Sequence, residues 1–173
     1  AMSASLLVIL NPWAGRGRGA KYRGSTLRGL KHAGLAFELA ETTGPGHALA
    51  RAREAGANGV TRIIGAGGDG TVHDVANALL DKNRFEEAIE VNRAALERDP
   101  GDALGYNQLR RALTGLNQFE EILVVTQQWR EWADAHNDKE SAGQAAFHRG
   151  TALAALGQLD EAVDSFIESQ DLN

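Results

Sequence analysis

Three short apolar segments in the first part of the chain predict β-strands. The first is apolar throughout, which is typical of a strand buried on both faces of a parallel sheet. The second alternates apolar and polar residues, and the third is β-branched, so both also favour strands. The predicted strands are residues 5–10, 36–41 and 61–64, and the predicted helices between and after them are residues 21–32, 47–56 and 71–82. This βαβαβα order predicts a three-stranded parallel sheet with right-handed crossovers.

The second part of the chain shows helical spacing only. From residue 69 onward, apolar positions recur with a period of about 34 residues, which is typical of stacked helical hairpins. Three such units begin near residues 69, 103 and 143, with an insertion at residues 137–142. The predicted fold class is therefore α/β followed by all-α, without a strand after Leu80. The predicted domains are an α/β half-domain over residues 1–80 and helical repeats over residues 69–173, which share the helix at residues 71–82.

The shared helix must serve two packing partners with one apolar stripe. We expect Val72, Val75 and Leu79 to lie against the sheet, because they follow one another at helical spacing. Three residues next to this stripe are expected to flank the following helix, and the opposite face is mostly polar. The flanking residues are Ala76, Leu80 and Asn83, and the opposite face carries Asp74, Asn77, Ala78 and Asp81.

Composition and charge narrow the classes of function. The chain is 43% hydrophobic and 24% charged, which is typical of a soluble globular protein. No apolar run approaches the roughly 18 residues of a membrane span. Because the chain has no cysteine and no visible secretory signal, we expect a cytoplasmic protein without disulfides. Residues 81–173 hold nine basic against eighteen acidic residues, a balance that argues against nucleic acid as a partner.

A glycine-rich turn, residues 65–71 with the sequence GAGGDGT, runs from the third predicted strand into a helix. Because Gly67, Gly68 and Gly70 have no side chains, a phosphate could approach the backbone closely there. The start of the helix adds partial positive charge. The alternative is a tight connection that needs glycine only for its backbone angles.

Two other loops are expected at the same edge of the sheet. Ligands of parallel sheets sit beyond the carboxyl ends of the strands, and the loops at Asn11, Thr42 and Gly67 all lie there. Arg16 and Arg18 follow the first loop and could face a phosphate or simply form a solvated basic loop. Together the three loops predict a phosphate site. The five histidines share no ligand spacing, so we expect no structural metal site.

The first part resembles the diacylglycerol kinase family of lipid kinases, which includes sphingosine kinases and is related in fold to NAD kinases. The resemblance rests on Gly-Gly-Asp-Gly-Thr with a following Val-x-x-Val-x-Asn helix, on Asn-Pro-x-x-Gly after the first strand, and on a threonine before a Gly-His-Ala helix start. It covers residues 5–80. Family members usually carry Glu at the position of Asp74 and often Gly at that of Ala78.

The resemblance implies binding of ATP with Mg²⁺ and transfer of the terminal phosphoryl group to a lipid hydroxyl. It assigns Asp69 the catalytic role of placing magnesium or the phosphates. The residues that it implies for ATP are Asn11, Pro12, Trp13, Ala14, Gly15, Thr42, Gly67, Gly68, Asp69, Gly70, Thr71, Val72 and His73.

The second part resembles tetratricopeptide repeats, with residues 81–100 matching the second helix and closing turn of one repeat. Such hairpins usually present a concave groove to a peptide or partner protein, and the alternative is a solvated groove without a ligand. Trp129 and Trp132 are expected in the hairpin core. The groove residues that the repeat register implies are His73, Asn77, Asn107, Arg111, Gln144, Phe147 and Thr151.

Two hypotheses about function follow. A lipid kinase should continue with a further strand, a loop that completes the nucleotide site and a second, β-rich domain, and this sequence shows none of them. The main hypothesis is therefore an engineered or recombined chimera, catalytically inactive, with residual nucleotide binding and the capacity for protein interaction. The alternative is an ATP-dependent lipid kinase completed by another chain.

Overall fold

The computed structural model describes residues 6–172, so Ser5 of the first predicted strand, the residues before it and Asn173 lie outside the described residues. The chain divides into two compact units, one ending at Val91 and the other beginning at Asn92. The elements are, in order, β1 (Leu6–Leu10), α1 (Ala14–Gly17), α2 (Gly19–His32), β2 (Glu38–Glu41), α3 (His47–Ala57), β3 (Arg62–Ala66), α4 (Asp69–Asp81), α5 (Phe85–Arg98), α6 (Ala103–Gly115), α7 (Phe119–His136), α8 (Lys139–Ala155) and α9 (Leu159–Leu172).

The predicted parallel sheet is confirmed, with β1 between β2 and β3. All five residues of β1 are buried, as its continuous apolar sequence predicts. β2 begins at Glu38 and not at Ala36, because the ladder with β1 starts where Glu38 pairs with Leu7. β3 extends beyond the predicted end to Ala66, which pairs with Leu10.

Helices cover both faces of the sheet. Side chains alternate between the two faces of a strand, so Glu38 and Glu41 of β2 point to opposite sides. Arg51 of α3 forms an ion pair with Glu38, whereas Arg23 of α2 forms one with Glu41. The helices α2 and α3 therefore lie on opposite faces. α4 packs beside α3.

α4 begins at Asp69, two residues before the predicted start, and ends at Asp81. The predicted apolar stripe is buried, and Val75 lies against the sheet where it would touch a side chain at Gly65. The prediction for Ala78 was wrong: it is 2% exposed and does not belong to a polar outer face. α3 packs along α4, and the buried residues of α3, Ala48, Ala52 and Ala55, are small enough to allow a close approach of the two helices.

The first unit continues past Leu80, where the sequence predicted that the kinase-like segment ends. The Arg84 guanidinium donates hydrogen bonds to the carbonyl oxygens of Val60 and Thr61 at 3.2 and 2.6 Å. These bonds hold the start of α5 at the entrance to β3, so the chain stays within the first unit as far as Val91.

The second unit is helical throughout its described residues, in agreement with the prediction. α7 packs between α6 and α8, and α8 packs against α9. Trp129 is 1% exposed and stacks on Tyr106 with ring centroids 4.9 Å apart, which confirms its place in the core. Trp132 is only half-buried and stacks on His136 at 4.3 Å.

None of the helices within residues 6–172 combines the length and the apolar character that a membrane crossing requires.

Candidate phosphate-binding site

A cleft of about 600 Å³ opens in the first unit at the carboxyl ends of the three strands. Three connections form its walls: the loop after β1, the loop between β2 and α3, and the turn between β3 and α4. Its lining residues are Asn11, Trp13, Thr42, Thr43, Gly44, Pro45, Gly46, Ala48, Gly68, Gly70, Thr71 and Asp74. The three loops that sequence reasoning placed at one edge of the sheet therefore meet there.

The start of α4 offers unpaired backbone donors to this cleft. The amides of Thr71 and Val72 bond the carbonyl oxygen of Gly68, at 2.9 and 3.2 Å. In the described part of the chain, the amides of Gly68, Asp69 and Gly70 have no such bond. Unpaired amides at a helix start, with its positive dipole end, attract an anion.

Gly67 is required by the close approach of two segments. A Cβ atom there would lie 2.4 Å from Thr71 Oγ1 and 3.0 Å from Asn11 Cβ. These distances leave no room for a side chain. A Cβ at Gly70 would meet no atom within 4 Å, so the surface is open where a ligand would bind.

Asn11 fixes the loop after β1 in two ways. Its Nδ2 donates to Thr71 Oγ1 at 3.2 Å, and its Oδ1 accepts from the Trp13 amide at 3.0 Å. The Asn11 amide in turn donates to the carbonyl oxygen of Ala66 at the end of β3. These hydrogen bonds therefore hold the loop after β1 against the glycine-rich turn. The loop carries Trp13, which is 71% exposed, on one side of the cleft.

The segment after β2 forms the opposite wall. The Thr42 amide donates to the carbonyl oxygen of Leu10, which holds this buried threonine at the end of the sheet. The Thr43 amide donates to His47 Nδ1 at 3.0 Å, and Gly46 adopts a φ of 75° that favours glycine. The loop is therefore fixed from both ends.

The structure brings six of the thirteen predicted nucleotide residues to the lining of the cleft: Asn11, Trp13, Thr42, Gly68, Gly70 and Thr71. The others lie nearby without lining it: Pro12, Ala14, Gly15, Gly67, Asp69, Val72 and His73. Val72 of α4 is buried, and Asp69 is exposed in the first turn of the same helix. Each of these assignments to a nucleotide stays a prediction.

Sequence reasoning missed six lining residues. Five of them belong to the stretch after Thr42, and Asp74 lies one turn into α4. The glycine and proline content of this stretch indicates a loop, but it does not indicate which side of the loop faces a ligand. The missed residues are Thr43, Gly44, Pro45, Gly46, Ala48 and Asp74.

The charge of the site fits a phosphate that arrives with a cation. Asp74 lines the cleft, and the lining residues that the structure describes include no basic side chain. Magnesium commonly binds through one or two carboxylates together with substrate phosphates. Within residues 6–172 no group of three His, Cys, Asp or Glu could hold a metal by itself. Among the basic residues of the first loop, Arg18 donates from Nε to the carbonyl oxygen of Gly15.

The predicted groove residues fall in both units, with His73 and Asn77 on α4 and the others on α6 and α8. Several of their polar groups bond within their own helix: Asn107 Nδ2 donates to the Ala103 carbonyl oxygen, and Thr151 Oγ1 to that of Phe147. Gln144 Nε2 donates to a Glu140 carboxylate oxygen, and Arg111 lies exposed on α6. Phe147 is 51% exposed. A groove with a bound partner stays a prediction.

Comparison with known proteins gives one family match. A profile of the diacylglycerol kinase catalytic domain matches residues 5–93, about half of the chain. The matched stretch contains every lining residue of the cleft and the first turns of α5.

Several known kinases are similar to the same part of the chain. Sphingosine kinase 2 of Homo sapiens is 33% identical over 100 residues, which are 57% of this chain and 15% of that protein. Sphingoid long-chain bases kinase 1 of Arabidopsis thaliana is 36% identical over 88 residues, 50% of this chain and 12% of that protein. Diacylglycerol kinase of Bacillus subtilis is 38% identical over 72 residues, 42% of this chain and 24% of that protein. The chain thus spans less than a third of the length of these relatives.

Proposed function

Because the chain belongs to the diacylglycerol kinase catalytic domain family, we propose that its first unit binds the phosphates of ATP as part of an ATP-dependent lipid kinase. The acceptor in this proposal is a lipid hydroxyl. The names of the similar kinases suggest that this hydroxyl belongs to a sphingoid base or a diacylglycerol. Further segments or another chain would supply the acceptor site.

The observation that carries the proposal is the set of unpaired amides at the start of α4. They open onto a cleft beyond the carboxyl ends of the sheet, where parallel α/β folds bind ligands. The glycines there let phosphate oxygens reach the backbone. Phosphoryl transfer depends mainly on positioning and on charge neutralisation, and these amides supply both for a phosphate.

Magnesium would neutralise the phosphates in place of basic side chains, which are absent from the described lining of the cleft. In this proposal Asp74, which lines the cleft, and Asp69, in the first turn of α4, would hold the cation. Replacing Asp69 with alanine is expected to alter the magnesium dependence of ATP binding. When bound, MgATP would supply the phosphoryl group, and the unpaired amides at the start of α4 would orient it.

The comparisons fit the kinase hypothesis better than an inactive chimera. The family match runs to residue 93, whereas the sequence-based prediction ended the kinase-like segment at Leu80. α5 is held to β3 through Arg84, so the match ends close to the structural boundary of the first unit. This agreement supports one continuous kinase-like unit.

For the second unit we propose hairpins of the tetratricopeptide type that bind a peptide or protein. The support is the order of packing, in which each helix from α6 to α9 contacts its neighbour in sequence. A further support is the pair of aspartate caps, Asp102 and Asp138, at the starts of α6 and α8.

The test is titration of the full chain with MgATP, and with adenosine to remove the phosphates. Gly70→Glu adds a carboxylate at the open cleft, and its Cβ meets no atom within 4 Å. Gly29→Glu on α2 is the matched control, since its Cβ position is equally open. We expect ATP binding in the parent and in the control, and roughly tenfold or greater loss in Gly70→Glu.

Two results would contradict the proposal. Adenosine could bind as tightly as MgATP, which would place recognition outside the phosphates. Alternatively, Gly70→Glu and Gly29→Glu could both bind MgATP as tightly as the parent, which would place the nucleotide site elsewhere.

A further inference from the structure

The last helix carries an exposed apolar stripe. Leu159, Val163 and Ile167 of α9 are 64, 55 and 52% exposed, although all three are large aliphatic residues. They are four residues apart, so they form one band along the helix. Phe147 of α8, 51% exposed, packs against Phe166 of α9 with ring centroids 5.6 Å apart and widens this surface. A contiguous exposed apolar surface usually marks an interaction site.

The neighbours of α9 indicate what kind of element would cover the stripe. α7 packs against α6 on one side and α8 on the other, and α8 packs against α7 and α9. Within the described chain, α9 packs extensively only against α8. A solvent-facing side of a helix is normally polar, and α9 has aliphatic residues on the side that no described helix covers. A helix is therefore the element that fits beside it.

The charges on α9 indicate which charged side chains the docked helix would carry. Its sequence contains five acidic residues and neither lysine nor arginine. Glu168 is paired with Arg130. Asp160, Asp164 and Asp171 lie beside the apolar stripe on the helix surface and have no ion pair within the described residues. Asp164, Ile167 and Asp171 also line a shallow groove of about 300 Å³.

A second copy of the chain does not suit this surface. Two α9 helices packed face to face would bring aspartates beside aspartates, and like charges at close range repel. Basic residues beside an apolar face would instead pair with the free carboxylates. We propose that the α9 stripe, defined as Leu159, Val163 and Ile167 with Phe147, docks an amphipathic helix of a partner whose apolar face is flanked by lysine or arginine.

The test uses fluorescence anisotropy with the full chain and a labelled helical probe peptide of about 14 residues, the length of α9. The probe carries leucines at helical spacing, flanked by lysines. A second probe keeps the leucines and replaces each lysine with glutamate. We expect the lysine probe to bind, the glutamate probe to bind roughly tenfold or more weakly, and high salt to weaken binding of the lysine probe.

Substitutions locate the site. The double variant Val163→Asn with Ile167→Asn is expected to weaken binding of the lysine probe at least about tenfold. Val124→Asn is the matched control, because Val124 on α7 is 51% exposed and lies outside the stripe. Circular dichroism checks that all variants are folded, and this is expected because the substituted side chains are exposed.

Three outcomes would overturn the proposal. Equal binding of the lysine and glutamate probes would show that charge does not contribute to binding. If Val124→Asn weakened binding as much as the double variant does, the probe would not bind at the stripe. Concentration-dependent self-association in sedimentation, abolished by the double variant, would show that a second copy covers α9.

Discussion

Asn11 and Thr71, which are sixty residues apart in the sequence, are joined by a hydrogen bond of 3.2 Å from Nδ2 to Oγ1. The bond links the loop after β1 to the first turn of α4. Because Thr71 is buried and its neighbour Gly70 lines the cleft, the bond fixes the distance between two walls of the proposed phosphate site.

A double-mutant cycle measures this link. Asn11→Ala and Thr71→Val should each lower the free energy of unfolding, with a coupling of about 0.5 to 1.5 kcal/mol between them. Thr71→Ser keeps the hydroxyl and is the control. Denaturant unfolding gives the energies, and full additivity of the two substitutions would show that the bond contributes nothing.

Gly67→Ala is expected to destabilise the first unit by about 1 to 3 kcal/mol, because the new methyl group must displace Thr71 or Asn11. Gly70→Ala adds the same methyl group where no atom lies within 4 Å, so it should cost less. Thermal unfolding of the two variants gives the comparison. Equal stability of both would contradict the close approach seen at Gly67.

Leu79→Ala is expected to cost roughly 2 to 5 kcal/mol, because this leucine is only 1% exposed and its removal leaves a cavity. Leu104→Ala on α6 is the control, since Leu104 is 49% exposed. Because the predicted shared helix at residues 71–82 serves two packing partners, Leu79→Ala is expected to loosen both halves together. Two melting transitions in the parent, with one shifted in the variant, would show independent domains.

His148 predicts a pH dependence in the second unit. Burial, and then the charge of Arg110, lowers the pKa of His148 to about 4, against an ordinary value of 6.5. Its ring lies 6.2 Å from Trp129 and 5.4 Å from Phe147. The unfolded chain therefore takes up a proton on this histidine first as the pH falls, which favours unfolding between pH 6.5 and about 4.

His148→Gln should remove that contribution. The parent is expected to lose stability relative to the variant as the pH falls through this window, by roughly 1 to 2 kcal/mol once solvent screening is allowed for. The exposed His32→Gln on α2 is the control. Denaturant unfolding at pH 7 and at successively lower pH gives the difference, and parallel curves would contradict the prediction.

The sheet was predictable because its signals are local. The continuous apolar run of β1 and the short segments of β2 and β3 each identify a strand, and the parallel order follows from the intervening helices. Strand ends were less predictable, since the described ladder with β1 begins at Glu38, two residues after the predicted start of the strand. Ala78 depends on the neighbouring α3, which its own periodicity does not reveal.

The site was predictable where a strand end or the glycine-rich turn marks it, as at Asn11, Thr42 and Gly68. Gly67, Gly68 and Gly70 indicate a close backbone approach, and the structure places Gly67 beside Asn11. Pro45 and Ala48 reach the cleft because the segment after β2 folds back over the sheet edge. That path is set by hydrogen bonds such as the one from the Thr43 amide to His47, which sequence spacing does not encode.

The central position of β1 has a consequence for the order of folding. Both pairings of the sheet are made by β1, and the second of them joins it to β3 across three helices and β2. The helices of the second unit contact their neighbours in sequence, so their chain loops are short. Loop closure between distant segments slows folding. The second unit should therefore acquire protection from hydrogen exchange before the sheet does, although it emerges later from the ribosome.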